Sequence, residues 1–191
     1  MTGRTHDLAA FTALNIAFVS IPVPAMSPAT LVVAIGANMI GGLLPDIDEA
    51  AADIWDKIRW GHVIGKLIKP LIGGHRMISH SILGMVIIGY LLKLFLNSVQ
   101  SVVLIDMDII WWSTMIGYFS HLVTDSITTE GVPWLFPVPI RFGFPPFKFS
   151  RIKTGGFREK YVVFPGLLFI NCYLVYAYYP VYASFLKNYL A

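Results

Sequence analysis

The chain has 191 residues, a length that fits one domain or at most two small ones. Hydrophobic residues make up 56% and charged residues 13%, about half the ~25% charged share of a soluble globular domain. So much apolar surface excludes disorder, and a net charge of +3 is too small to argue for a nucleic-acid partner. What remains is an all-α, polytopic helical membrane protein, a single integral membrane domain over residues 1–191 whose first partner is the lipid bilayer.

Leu8 to Pro45 carries no formal charge over 38 residues. One crossing needs roughly 17 to 25 residues, so this run holds two if the chain turns midway. Pro22, Pro24 and Pro28 supply the turn, because proline removes backbone donors and disfavours helix at the residue before it. The predicted helices are Asp7 to Ile21 and Ala29 to Leu44. The first is not followed by a small-residue cleavage site and a polar mature chain, so it reads as a retained membrane helix. A third segment is predicted from Ile78 to Ile105, with the long stem of Lys93 letting its ammonium reach headgroups. A fourth is predicted from Ile109 to Thr124, opening on Trp111 and Trp112 at interfacial depth. Tyr161 to Leu186, 26 residues without charge and rich in tyrosine, makes the fifth. The single cysteine, Cys172, excludes an intrachain disulfide and a Cys-rich zinc site, and is expected to serve packing.

Two long polar loops lie between these segments, Asp46 to Met77 and Asp125 to Lys160. With Arg4 they carry 12 of the 14 basic residues, all on one side of a five-helix arrangement. By the positive-inside rule that side is the cytoplasm, in a cell (inner) membrane. Within the first loop, Asp53 to Lys69 reads as an interfacial amphipathic helix carrying His62.

The same side collects the residues that could bind a cation. Asp46 and Asp48 stand two apart after Gly-Gly-Leu-Leu-Pro, where a turn could aim both carboxylates at one hard divalent ion; the pattern is equally that of a solvated loop. His75 and His80 flank Arg76 and Ser79. On a continuous helix these imidazoles would point roughly 140° apart, so they share a site only if His75 lies in the Gly73-Gly74 loop and His80 at the helix start. Arg76 could meet an anionic group in bidentate fashion. His121 and Asp125 are i and i+4 on one helical face, which fits either a shared cation or a His–Asp hydrogen bond satisfying two polar groups near lipid. His6 and Glu159 complete the set as single residues.

Thr5-His6, Gly42 to Asp48, His75 to Ser81, Gly117 to Asp125 followed by Gly131-Val-Pro133, and Thr154 to Glu159 occur in that order. Together they resemble the YdjM-type family of membrane-bound, metal-dependent hydrolases. The resemblance implies that His6, Asp46, Asp48, His75, His80, His121, Asp125 and Glu159 are metal-site residues and that the chemistry is hydrolysis. It also shows departures: Met77 and Ser79 stand where the family pattern has Gly and Thr. Ser79 keeps the hydroxyl, while Met77 stiffens the turn.

A mixed N/O donor set of this size suits one or two divalent ions, zinc or manganese. Asp48 or Glu159 is then the expected general base, and Arg76 the group that stabilises developing negative charge. The expected substrate is a phosphoester of a lipid or other amphiphilic molecule at the inner leaflet. The alternative is a non-enzymatic protein with a structural or transported metal. Transport calls for ionisable residues at the bilayer midplane, whereas these lie at helix ends.

Overall fold

The computed structural model describes residues 1–22, 26–48, 63, 77–138 and 140–190. His75, Arg76 and nearly all of the predicted amphipathic stretch Asp53 to Lys69 lie outside them, as does the side chain of Asp48. Among the described residues the protein is all-helical, with two isolated β-bridges and no strand.

Six α-helices are described. Helix α1 is Gly3–Ser20 and α2 is Pro28–Leu43. The Ser27 hydroxyl accepts from Thr30 N at 3.1 Å and Pro28 occupies the first turn, where its missing N–H costs nothing. A 3₁₀ turn, Leu44–Asp48, continues from α2. Helix α3, Ile82–Val99, is capped by Ser81, whose hydroxyl accepts from Gly84 N at 3.1 Å. It is shorter than the predicted Ile78 to Ile105 because Met77 to Ser81 forms turns before the cap. Helix α4, Met107–Ser126, is capped by Asp106, which accepts from the amides of Asp108 and Ile109.

The predicted fifth segment is two helices, α5 (Phe164–Ala177) and α6 (Tyr179–Leu190), with a π-helical turn Glu159–Val163 leading in. Pro180 falls in the first turn of α6, where its ring blocks a continuous helix through Tyr178. Cys172 is exposed on α5 instead of packed inside.

Among the described residues, three stretches are long and apolar enough to cross a membrane: Pro28–Ile47, Ile82–Val99 and Glu159–Ala177. The predicted five are not confirmed. Helices α1 and α4 are of similar length but fall short in composition, and their polar residues are turned inward: Thr5, His6 and Thr12 on α1, Ser113, Thr114, Ser120, His121 and Asp125 on α4 are all buried. These two helices form the polar interior of the bundle, while α3 and α5 present apolar surface outward. Lys93 has a partner on α4. It pairs with Asp108 at the N-terminus of α4, its ammonium 6.0 Å from the Trp111 ring centre.

Helix α4 packs against α1, α2 and α3. Its closest approach is to α2, and glycine makes it possible. A Cβ on Gly41 would overlap the Thr114 carbonyl, and one on Gly117 would overlap that of Asn38. Asn38 Nδ2 donates to Ser113 O at 3.0 Å across the same seam. The seam sets the end of α2 directly beside the last turns of α4.

Candidate metal centre

Helix ends that are far apart in sequence meet at one end of the bundle. His6 comes from the first turns of α1, Asp46 from the 3₁₀ turn after α2, His80 from the turn before α3, and His121 and Asp125 from the end of α4. His6, His80, His121 and Asp125 are fully buried, while the Asp46 side chain keeps 20% exposure and marks the open side.

The inward atoms are three imidazole Nε2 and the oxygens of two carboxylates. His121 Nε2 lies 3.3 Å from His80 Nε2, 3.6 Å from Asp46 Oδ1 and 3.7 Å from Asp125 Oδ2. His80 Nε2 lies 3.4 Å from Asp46 Oδ1 and 3.8 Å from Asp125 Oδ2, and His6 Nε2 lies 3.3 Å from Asp125 Oδ1. Donors about 2.0 to 2.2 Å from a tetrahedral ion stand roughly 3.3 to 3.6 Å apart; four of these six spacings fall in that range and two, at 3.7 and 3.8 Å, lie just beyond it. Two overlapping groups have the reach to hold an ion, His6 with Asp46 and His121, and His80 with His121 and Asp125.

The outer nitrogens explain why the inner ones face the centre. His121 Nδ1 is 2.7 Å from the Gly42 carbonyl, which can only accept, so Nδ1 carries the proton and Nε2 presents a lone pair. Thr124 Oγ1 donates back to the carbonyls of Ser120 and His121, both at 3.0 Å, leaving it to accept from His6 Nδ1 at 3.1 Å. His6 Nε2 is then also a lone pair, buried 3.3 Å from Asp125 Oδ1. Acceptor facing acceptor in a buried site favours a cation nearby, and the Met1 ammonium reaches Asp125 Oδ1, the oxygen that His6 Nε2 faces. His80 Nδ1 meets Ser79 Oγ at 3.1 Å. His6 stacks on His121 with ring centres 3.7 Å apart, and the Met1 amine also reaches Asp125. The residues present therefore fit a divalent ion with mixed nitrogen and oxygen ligands.

Glu159 is in neither ligand group. Its Oε1 accepts from Thr2 N, Thr2 Oγ1 and Thr5 Oγ1, and its Oε2 from Gly155 N, each at 2.7 Å. It fastens the start of α1, and with it His6, to the loop that leads into α5. Five of the eight expected metal residues thus converge, Glu159 stands apart, and His75 and the Asp48 side chain lie outside the described residues.

Sequence reasoning passed over Tyr118 and Thr124. Tyr118 is fully buried and donates to the Ser79 carbonyl, holding the turn that carries His80. Both residues are three positions from His121, on the same helical face, and that spacing was the available signal.

Fold and site together define a helical membrane protein with a buried His/Asp cluster that could hold a metal ion. The match to known proteins is more particular. The family model described as YdjM inner membrane protein matches residues 1–183, and the chain belongs to that family. It is 32% identical to Uncharacterized protein YvsG of Bacillus subtilis (strain 168) over 179 residues, 92% of this chain and 95% of the relative. It is 33% identical to Inner membrane protein YdjM of Escherichia coli (strain K12) over 105 residues, 54% of this chain and 48% of that protein. No solved structure matches.

Proposed function

We propose that the protein is a divalent-metal-dependent hydrolase of the inner membrane, cleaving a phosphoester of a lipid or other amphiphile at the cytoplasmic face. The observation that carries this reading is the convergence of three imidazole Nε2 atoms and two carboxylates, ringed by outer hydrogen bonds and open beside Asp46. His6, Asp46, His80, His121 and Asp125 would hold the ion, zinc or manganese by donor type, with His75 available for a second and Asp48 left unligated. When bound, such an ion supplies Lewis-acid polarisation of a phosphoryl oxygen and a more acidic water.

The chain's own residues divide the remaining work. Asp48 takes a proton from the attacking water, and Arg76 offsets charge developing on the phosphoryl oxygens. Glu159 serves as the clamp on α1, because both of its oxygens already accept hydrogen bonds there. The basic residues of the two long loops attract an anionic head, and their bias supports a site on the cytoplasmic side.

A zinc- or manganese-loaded preparation in detergent tests the substrate class. Headgroup or phosphate release from a panel of phospholipids and polyprenyl phosphates is expected; metal binding without any release refutes it. The burial of four of the five ligands favours a second reading, a structural metal. Asp48→Asn separates the two: turnover lost with folding and metal content intact supports catalysis. Glu159→Gln places an amide N–H₂ against Thr donors or Gly155 N–H. It is expected to cost about 1 to 3 kcal/mol of stability in thermal unfolding.

A further inference from the structure

The loop between α4 and α5 spends its cross-bracing on holding aromatic side chains outward. Phe144, Phe147, Phe149 and Phe157 are 70%, 64%, 85% and 74% exposed. Their exposure is built in, because the backbone behind them is fastened at many points. Arg151 donates to the carbonyls of Gly143, Pro145 and Pro146 at 2.7 to 3.0 Å, and Arg158 to that of Ser150 at 3.0 Å. Val132 and Phe142 exchange a pair of backbone hydrogen bonds, Phe144 N donates to Ser126 O, and Ile152 is paired with Ile127 and Thr129.

The loop's charge is one-sided. Glu130 is the one acid between Ser126 and Glu159, and it faces Arg141 at 3.8 Å. Lys148 and Lys153 are exposed beside the aromatic tips, and Arg158 is exposed next to Phe157. The helical stretch on its C-terminal side sets the loop's depth, since Glu159–Ala177 is apolar enough to cross a membrane and the Phe157 and Tyr161 rings, 4.7 Å apart, stand at its entrance. Exposed aromatics interleaved with exposed lysines at a span's mouth are the composition of a segment seated among anionic headgroups.

We infer that residues 142–158 form an interfacial anchor, with Phe144, Phe147, Phe149 and Phe157 inserted beneath the phosphates of an anionic leaflet and Lys148 and Lys153 on the headgroups. This anchor is independent of the chemistry proposed for the His/Asp cluster. It holds the loop, which Glu159 clamps to the start of α1, at headgroup depth.

Spin labels read the depth directly in the full chain, reconstituted on a Cys172→Ser background into vesicles of phosphatidylcholine with or without phosphatidylglycerol. Phe149→Cys carries the label, Glu130→Cys serves as the water reference and Phe169→Cys, on the lipid-facing side of α5, as the lipid reference. Phe147→Cys provides a second reading should the first variant fold poorly. The ratio of oxygen to water-soluble nickel-chelate accessibility is expected several-fold above the Glu130 reference and near the Phe169 value. Adding Lys148→Glu and Lys153→Glu is expected to move it toward water in phosphatidylglycerol vesicles. A ratio equal to the Glu130 reference, or no response to those charge reversals, overturns the anchor. A label shielded from both relaxants overturns it in favour of contact with another protein chain.

Discussion

Two polar clusters lie inside this apolar bundle, and they are built on opposite principles. Between α1, α5 and α6, Asn15 Nδ2 donates to Asn171 Oδ1 at 2.7 Å, and Asn171 Nδ2 donates to Thr12 Oγ1 and Leu167 O at 2.7 and 2.9 Å. Thr12 passes its proton to Leu8 O, and the Tyr182 hydroxyl reaches Asn15 Oδ1 at 3.4 Å. Every donor there meets an acceptor, so the cluster is closed and its work is to join helices. At the other cluster the outer nitrogens are satisfied and the inner atoms converge: lone pairs of His6 and His121 look toward Asp46 and Asp125, and Asp125 also takes the Met1 amine. Counting polar residues does not tell a site from helix glue. The direction of the protons does.

Removing a ligand breaks the contrast most severely. His121 belongs to both ion-holding groups, so His121→Ala is expected to lower divalent-metal affinity by more than about 100-fold, beyond the usual loss of an outer partner. Metal titration by calorimetry on the purified protein checks it, and wild-type affinity in the variant would mean the cluster is not the binding site. A smaller effect is expected from Thr124→Val, which removes the acceptor that orients His6 Nδ1 and touches no inward atom. The expected loss is about 10- to 100-fold in affinity with the unfolding temperature nearly unchanged. Equal metal affinity would show that the ring of outer hydrogen bonds does not direct the imidazoles.

The legible parts of this molecule were those written in charge and local spacing. Lys and Arg bias separated the helix ends, and it put His6, Asp46, His80, His121 and Asp125 on one side before any packing was known; their convergence within 3.3 to 3.8 Å followed. The i, i+4 spacing of His121 and Asp125 survived because α4 is continuous there. The helix count did not read as well. Uncharged length alone cannot separate a lipid-facing crossing such as α3 from α1, whose Thr5, His6 and Thr12 are turned onto neighbouring helices. Glu159 is a case that local sequence leaves open. A lone acid next to a metal motif looks like a ligand, and only the placement of Thr2, Thr5 and Gly155 around it reveals a clamp.

Asn171→Leu probes the closed cluster and should leave the open one alone. The substitution keeps the side chain's volume on α5 but removes the acceptor for Asn15 Nδ2 and the donor to Thr12 Oγ1. Hydrogen bonds between membrane helices average about 0.6 kcal/mol and reach about 1.7, so two lost bonds predict a drop of about 1 to 3 kcal/mol. Part of that returns, because leucine is at home in lipid and Asn15 can turn toward Tyr182. A net loss of about 1 kcal/mol in detergent unfolding, with metal affinity and stoichiometry unchanged, is therefore the expected outcome. Should metal binding fall as well, α5 must transmit to α1 and through it to His6, and the two clusters would be one coupled unit instead of a fastening and a site.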